Sequence, residues 1–292
     1  MKVPTVPHDP PPAYDSKPYN VIVFGESGVG KSSVVNLIAG QPVAETSPDA
    51  GACTFASRPY HVVLESYKPY CVWDTIGLNE PEISREDYLR AIKHAYMLIK
   101  GLEHSGGVHL LLLCMRGRIT KSVQQNYTLF LNILCEKKVP LGVVVTNLEN
   151  EPCMEGWWTA NEEVFKKYGI SANGHACITA IPGIEGIFRE RKEESKKRMH
   201  KLLLELTMPA GEGWKKEDVQ AWFTDLLGKM MKMLPWRHGR SGQPTSKELM
   251  EKLISECRFS RRDAIAIANC IETVRGQSDQ SSGPGSDERG SQ

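Results

Sequence analysis

Long apolar runs are missing from this chain. The longest, Val108 to Met115, is far shorter than the roughly 20 residues a membrane-spanning helix needs. An excess of either charge is missing too: 36 Lys and Arg stand against 35 Asp and Glu, a net charge of +1. Nothing in that balance calls for nucleic acid or an anionic membrane as partner. The eight cysteines show neither a C-x-x-C pair nor a Cys/His ligand spacing, which argues against a zinc site or a dithiol redox centre. The start carries no secretory pattern or myristoylation motif, and the end no prenylation box. The expectation is a cytoplasmic protein in a reducing compartment. Cys71, Cys114, Cys135 and Cys177 are expected as core thiols, and any membrane contact as peripheral, through surface helices or partners.

What is present is an ordinary globular composition, 40% hydrophobic and 24% charged over 292 residues, enough for one large domain with an appendage. Short apolar strands alternate with longer amphipathic segments. That pattern predicts an α/β fold: a doubly wound, mostly parallel sheet followed by a C-terminal α-helical extension. Four parts are expected: a proline-rich tail over 1–19, a nucleotide-binding domain over 20–208, a helical extension over 209–275, and a Gly/Ser/Gln-rich tail over 276–292. Pro11-Pro12-Ala13-Tyr14 has the form of a WW-domain ligand, a form common in any proline-rich tail.

The most specific signal is Gly25-Glu26-Ser27-Gly28-Val29-Gly30-Lys31-Ser32, which fits G-x-x-x-x-G-K-[ST]. Val21 to Phe24 before it reads as a buried strand, and Ser33 to Ala39 after it as a helix. Glycines let the backbone wrap a polyphosphate so that its N–H groups face the anion. Lys31 is expected to reach the β- and γ-phosphates, and the hydroxyl of Ser32 to enter a Mg²⁺ shell, with Ser33 close behind. A glycine-rich strand-to-helix turn can match this pattern by chance, but the flanking strand and helix weigh against that.

The strand predicted over Tyr67 to Trp73 runs into Asp74-Thr75-Ile76-Gly77, a D-x-x-G. Asp74 is expected to hold the metal through water, and the Gly77 N–H to touch the γ-phosphate. The alternative is a plain strand-end turn. In the polar stretch between Gln41 and Arg58, Thr54 is the candidate metal-side threonine rather than Thr46. It lies 20 residues before Asp74, just ahead of the strand expected over Tyr60 to Ser66.

Base recognition is expected where the strand Leu141 to Val145 ends in Thr146-Asn147-Leu148-Glu149. Most domains of this type carry Asn-Lys-x-Asp there. Thr146 can bond neighbouring loops, and Glu149 can accept from guanine N1 and N2, whereas it would repel adenine N1. Asn147 lacks the aliphatic stem that usually lies across the base. Ile178-Thr179-Ala180 is expected to offer a backbone N–H to guanine O6. GTP and GDP with Mg²⁺ are therefore the expected ligands. A capping or loop glutamate at 149 remains the competing reading, and with it an ATP-binding one.

With Asp74 to Glu80 in place, the chain resembles septin-like P-loop GTPases, near the immunity-associated (GIMAP-like) and chloroplast-import receptor types. More closely, it resembles uncharacterised fungal G-domain proteins. The shared stretches are Phe24 to Gly40, Asp74 to Glu80, Gln125-Asn126-Tyr127, Thr146 to Glu151, Trp157-Trp158 and Gly174 to Ala180, and the likeness spans about residues 18 to 208. It implies a guanine-nucleotide switch that commonly assembles through its G domains. Leu78 follows D-x-x-G where many small GTPases carry glutamine, a departure this family shares. Asn79 and Glu80 are nearby candidates for placing water, and Arg116 or Arg118 for acting across a homodimer; surface arginines are more often simply solvated. Without such help, hydrolysis is expected to be slow, roughly 10⁻⁴ to 10⁻³ s⁻¹.

Beyond the likeness, Trp214 to Leu234 places Val219, Trp222, Phe223, Leu226, Leu227, Met230, Met231 and Leu234 at helical spacing. Such a helix can close the core, or serve as a nucleotide-controlled surface. Two further helices are expected over Ser246–Cys257 and Arg261–Val274.

Overall fold

The computed structural model describes residues 17–45, 57–64, 68–75 and 97–216, together with the single positions 94, 247, 250, 251, 254, 261 and 265. Its centre is β1 (Tyr19–Gly25), buried from Asn20 to Gly25 because sheet neighbours flank it and helices cover both faces. Along β1, Val21 and Val23 enter one hydrophobic cluster while Ile22 and Phe24 enter the other. This is the period-two alternation of a strand with two apolar faces. β2 (Arg58–Val63), β3 (Pro69–Asp74), β4 (Leu110–Arg116), β5 (Leu141–Thr146) and β6 (Gly174–Cys177) complete a sheet of order β2-β3-β1-β4-β5-β6. β1, β3, β4, β5 and β6 run parallel, and β2 alone pairs antiparallel, with β3. β2 is an edge strand, and Pro59 is tolerated there because an edge can spare one N–H.

α1 (Lys31–Ala39) and α4 (Arg189–Thr207) cover one face of the sheet, through Val34, Val35, Leu37 and Ile38 from the first and Met199, Leu202 and Leu203 from the second. α2 (Lys121–Tyr127), the π-helical turn Thr128–Leu134 that continues it, and α3 (Met154–Lys167) cover the other. There Phe130 stacks on Phe24 with ring centroids 4.4 Å apart. Cys71, Cys114, Cys135 and Cys177 are buried free thiols, as their apolar surroundings in the sequence suggest. Among the described residues no helix is long and apolar enough to cross a membrane.

The strand before D-x-x-G starts at Pro69 rather than Tyr67, and the first helix begins at Lys31 rather than Ser33. The helix expected from Trp214 does not include that residue. Trp214 exchanges both backbone hydrogen bonds with Val108, at 2.8 Å each, so it stands in an antiparallel bridge. The rest of that stretch, from Glu217 to Leu234, lies outside the described residues, as do Met1 to Ser16 and 276–292. Farther along, Lys247, Met250, Glu251, Ile254, Arg261 and Ile265 are helical, and Met250 and Ile254 pack against the cluster containing Ile22 and Phe24.

Candidate functional site

In a doubly wound sheet, ligands collect beyond the carboxyl ends of the parallel strands. Gly25 ends β1, Asp74 ends β3, Thr146 ends β5, and Thr179 lies two residues past β6. The loop after β1 turns sharply at Gly25, Gly28 and Gly30, with φ of 142°, 72° and 94°. At Gly25 no other residue fits: a Cβ there would lie 2.1 Å from the Cys114 carbonyl oxygen on β4. Gly30 caps α1 in a left-handed conformation and makes no side-chain cap hydrogen bond.

Lys31 folds over this loop, its Nζ donating to the carbonyls of Gly25 at 3.1 Å and Glu26 at 2.8 Å. Glu26 in turn accepts from the Thr120 hydroxyl, and Thr120 also caps α2 by accepting from the Val123 N–H at 3.1 Å. The loop is thereby tied to the segment after β4. Ser27 and Gly28 form its exposed tip, while Val29 is buried beneath it and Ser33 is half-buried on the first turn of α1.

Ser32 and Asp74 are brought together: Oγ of Ser32 donates to Oδ2 of Asp74 at 2.7 Å. The second carboxylate oxygen, Oδ1, is buried and has no hydrogen-bond partner. Burial pushes the Asp74 carboxyl above its ordinary range, against the opposing effects of the Ser32 hydrogen bond and the charges of Lys31 and Arg58. A half-satisfied buried carboxylate beside a hydroxyl is a donor set that suits a hard divalent cation. Among the described residues no group of three or more His, Cys, Asp or Glu could hold a metal. Thr54, Gly77, Leu78, Asn79 and Glu80 lie outside the described residues. Arg116 ends β4 and Arg118 follows it; both are exposed.

The second half of the site is built on β5 and β6. Oγ1 of Thr146 donates to the Val29 carbonyl at 2.7 Å and lies 3.2 Å from the Met115 carbonyl, a second acceptor for the same proton, joining this loop to the phosphate loop and to β4. Asn147 turns the chain with φ 63° and is exposed, a conformation asparagine tolerates better than most residues. Glu149 is half-buried, its Oε2 accepting from Oγ1 of Thr179 at 3.2 Å. Of the three amides at 178–180, Ile178 donates to the Val145 carbonyl at 2.8 Å and Thr179 to the Ser195 hydroxyl at 3.0 Å. Among the described residues no acceptor faces the Ala180 N–H.

Sequence reasoning missed two residues of this half, Arg191 and Ser195 on α4. They sit four apart on one helix face, and neither belongs to a recognised motif. The only trace in the sequence is a serine placed where a helix packs on the sheet.

The fold and the site together have the form of a P-loop nucleotide-binding domain. Residues 20–147 match the family model described as 50S ribosome-binding GTPase. GTPase Era of Ehrlichia canis (strain Jake) is 27% identical over 104 residues, 35% of this chain and 32% of that protein. The chain spans about a third or less of the length of the curated relatives it matches. Among solved structures, Era from Aquifex aeolicus bound to GDP.AlF4- is similar at 20% identity with a TM-score of 0.47, covering 79% of this chain and 71% of that one. A dimerisation-deficient mutant of Toc33 from Arabidopsis thaliana is similar at 14% identity with a TM-score of 0.43, covering 64% of this chain and 86% of that one.

Proposed function

We propose that this chain is a guanine-nucleotide-binding switch that hydrolyses GTP slowly with Mg²⁺. The observation that carries the reading is the Ser32–Asp74 pair beside the phosphate loop, with one buried carboxylate oxygen unsatisfied. The N–H groups from Glu26 to Ser33 cradle the phosphates, and Lys31 moves from the Gly25 and Glu26 carbonyls to the β- and γ-phosphoryl oxygens. Ser32, Asp74 and Thr54 would hold Mg²⁺, which neutralises charge on the β- and γ-phosphates when bound. The Gly77 N–H reports the γ-phosphate, so the stretches Gln41–Arg58 and Leu78–Asp87 respond to its loss. Glu149 accepts from guanine N1 and N2, Ala180 donates to O6, Thr179 orients Glu149, and Thr146 with Asn147 shapes the pocket.

Leu78 after D-x-x-G and Thr146-Asn147-Leu148-Glu149 are what support a likeness to the septin-like, GIMAP-like type. The glutamine that would orient water is missing, so turnover depends on a partner or on a homodimer in which Arg116 or Arg118 acts in trans. The same leucine favours a second reading, a nucleotide-stabilised scaffold without turnover. Residues 20–208 form the nucleotide-binding domain on either reading, flanked by the tails 1–19 and 276–292, and 209–275 is the segment through which partners or a membrane surface are met. The buried free thiols fit a reducing cytoplasm. Nucleic acid is left out of the reading, given the near-balance of charge.

The test is calorimetric titration of nucleotide-free protein with GDP, a non-hydrolysable GTP analogue and ADP, with and without Mg²⁺. Guanine preference that needs Mg²⁺ for the triphosphate is expected. Equal affinity for ADP and GDP would reduce the reading to an unspecified P-loop binder. Single-turnover phosphate release no faster than background would favour the scaffold.

A further inference from the structure

Arg191 and Ser195 lie one turn apart near the start of α4, so both point from one helix face. The Arg191 guanidinium reaches the loop after β5, where Nη1 donates to the carbonyls of Glu149 at 3.1 Å and Glu151 at 2.5 Å and Nη2 approaches that of Pro152 at 3.5 Å. Three backbone acceptors on one planar fork fix a loop in a way a single point charge cannot. Ser195 is wholly buried; its Oγ accepts from the Thr179 N–H at 3.0 Å and donates to the Arg191 carbonyl at 2.7 Å. The Thr179 hydroxyl then meets the Glu149 carboxylate at 3.2 Å. The four residues close a ring of hydrogen bonds: Arg191 to Glu149, Glu149 to Thr179, Thr179 to Ser195, and Ser195 back to Arg191.

We propose that Arg191 is a positioning residue for base selection, acting with Ser195 to fix the spacing between Glu149 and the Ala180 amide across one purine ring. The inference rests on the guanine reading given above. A carboxylate that accepts from N1 and N2 discriminates only if it is held in register with the donor to O6, since a displaced acceptor leaves polar groups unpaired. Thr179 spends its own N–H on Ser195, which both anchors the second loop and leaves the next amide, Ala180, for the base. Arg191 itself need not touch nucleotide: three of its five N–H donors go to the carbonyls of the loop that carries Glu149.

The test compares GDP with inosine diphosphate, whose base lacks the 2-amino group, on the full chain by calorimetry, alongside thermal unfolding of each variant. The parent is expected to prefer GDP. Arg191→Met should lower the ratio of the two affinities by about tenfold, chiefly by weakening GDP, because the contact to the 2-amino group is the one lost. Arg191→Lys, which keeps the charge without the fork, should fall between. Ser195→Ala opens the ring from its other side and should also lower the ratio, and it decides the matter if Arg191→Met does not fold. Variants that weaken both diphosphates by the same factor, or that keep the parent's ratio, overturn the proposal. A parent that binds ADP as well as GDP overturns the guanine reading itself, and this inference with it; one that rejects ADP but binds inosine diphosphate as well as GDP overturns this inference alone.

Discussion

Ser32 and Asp74 are 42 positions apart in the sequence, yet the hydroxyl of one donates to the carboxylate of the other across 2.7 Å. Because burial raises the Asp74 pKa above its ordinary value of 3.8, the folded state favours the protonated acid. The associated stability is present below that ordinary value and is lost as pH rises through the higher folded one. At neutral pH without a cation, ionised Asp74 therefore weakens the fold. Asp74→Asn is expected to stabilise the metal-free protein by about 1 kcal/mol, a rise in Tm of roughly 2–4 °C for a domain of this size. It should also abolish any gain in triphosphate affinity from Mg²⁺. Thermal unfolding at pH 7 with and without Mg²⁺ checks both; a lower Tm for Asp74→Asn in metal-free buffer would contradict the account.

The glycines of the phosphate loop should differ in consequence. A Cβ at Gly25 would sit 2.1 Å from a β4 carbonyl oxygen, and the strand cannot yield. Gly28 has nothing within 4 Å, only a left-handed φ of 72°. Gly25→Ala is expected to cost more than about 3 kcal/mol or to prevent folding, whereas Gly28→Ala should cost only about 1–2 kcal/mol. Urea unfolding of the two variants distinguishes backbone collision from conformational strain.

The reach of the sequence is clear from these residues. The phosphate loop, Asp74 and the alternating strands were readable because each is a local pattern: glycine where φ is positive, a carboxylate at a strand end, apolar runs of strand length. Thr146 was readable as a bonding residue because its place at a strand end limits what it can reach. Arg191 and Ser195 were not, because their meaning lies in a helix some 40 residues downstream folding back onto two loops, and an arginine and a serine four apart look like any solvated turn. Trp214 fits a helix in the sequence because its apolar neighbours recur at helical spacing. That periodicity carries no information about the Val108 backbone groups that its own N–H and carbonyl satisfy.

His109 gives a pH dependence of defined sign. Its Nδ1 accepts from the Asn20 N–H at 3.0 Å, which requires the neutral ring. Burial lowers its pKa below the ordinary 6.5, and nearby Lys215 acts in the same direction. Stability from the neutral ring is fully present above that ordinary value and is lost as pH falls through the depressed folded value. His109→Asn can present a carbonyl oxygen near the place of Nδ1 without titrating. The parent should lose stability below about pH 6.5 more steeply than His109→Asn, by denaturant midpoints measured from pH 7.5 to 5. Parallel pH curves for the two proteins would remove His109 from the explanation.

Thr146 joins the two halves of the site, since one hydroxyl is placed between the Val29 carbonyl at 2.7 Å and the Met115 carbonyl at 3.2 Å. It is itself buried, so deleting the hydroxyl takes the donor from the Val29 carbonyl, the nearer of the two acceptors. Thr146→Val keeps the shape and removes only the hydrogen bonds; it should destabilise the domain by about 1–2 kcal/mol. Because Val29 belongs to the phosphate loop and Thr146 begins the base loop, the same variant should bind GDP about tenfold more weakly, through faster release. Thr146→Ser retains the hydroxyl and is expected to keep most of the affinity despite its smaller side chain. Stopped-flow release of a fluorescent GDP separates these outcomes: equal release from both variants would mean that packing of the Thr146 methyl, rather than its hydroxyl, couples the loops.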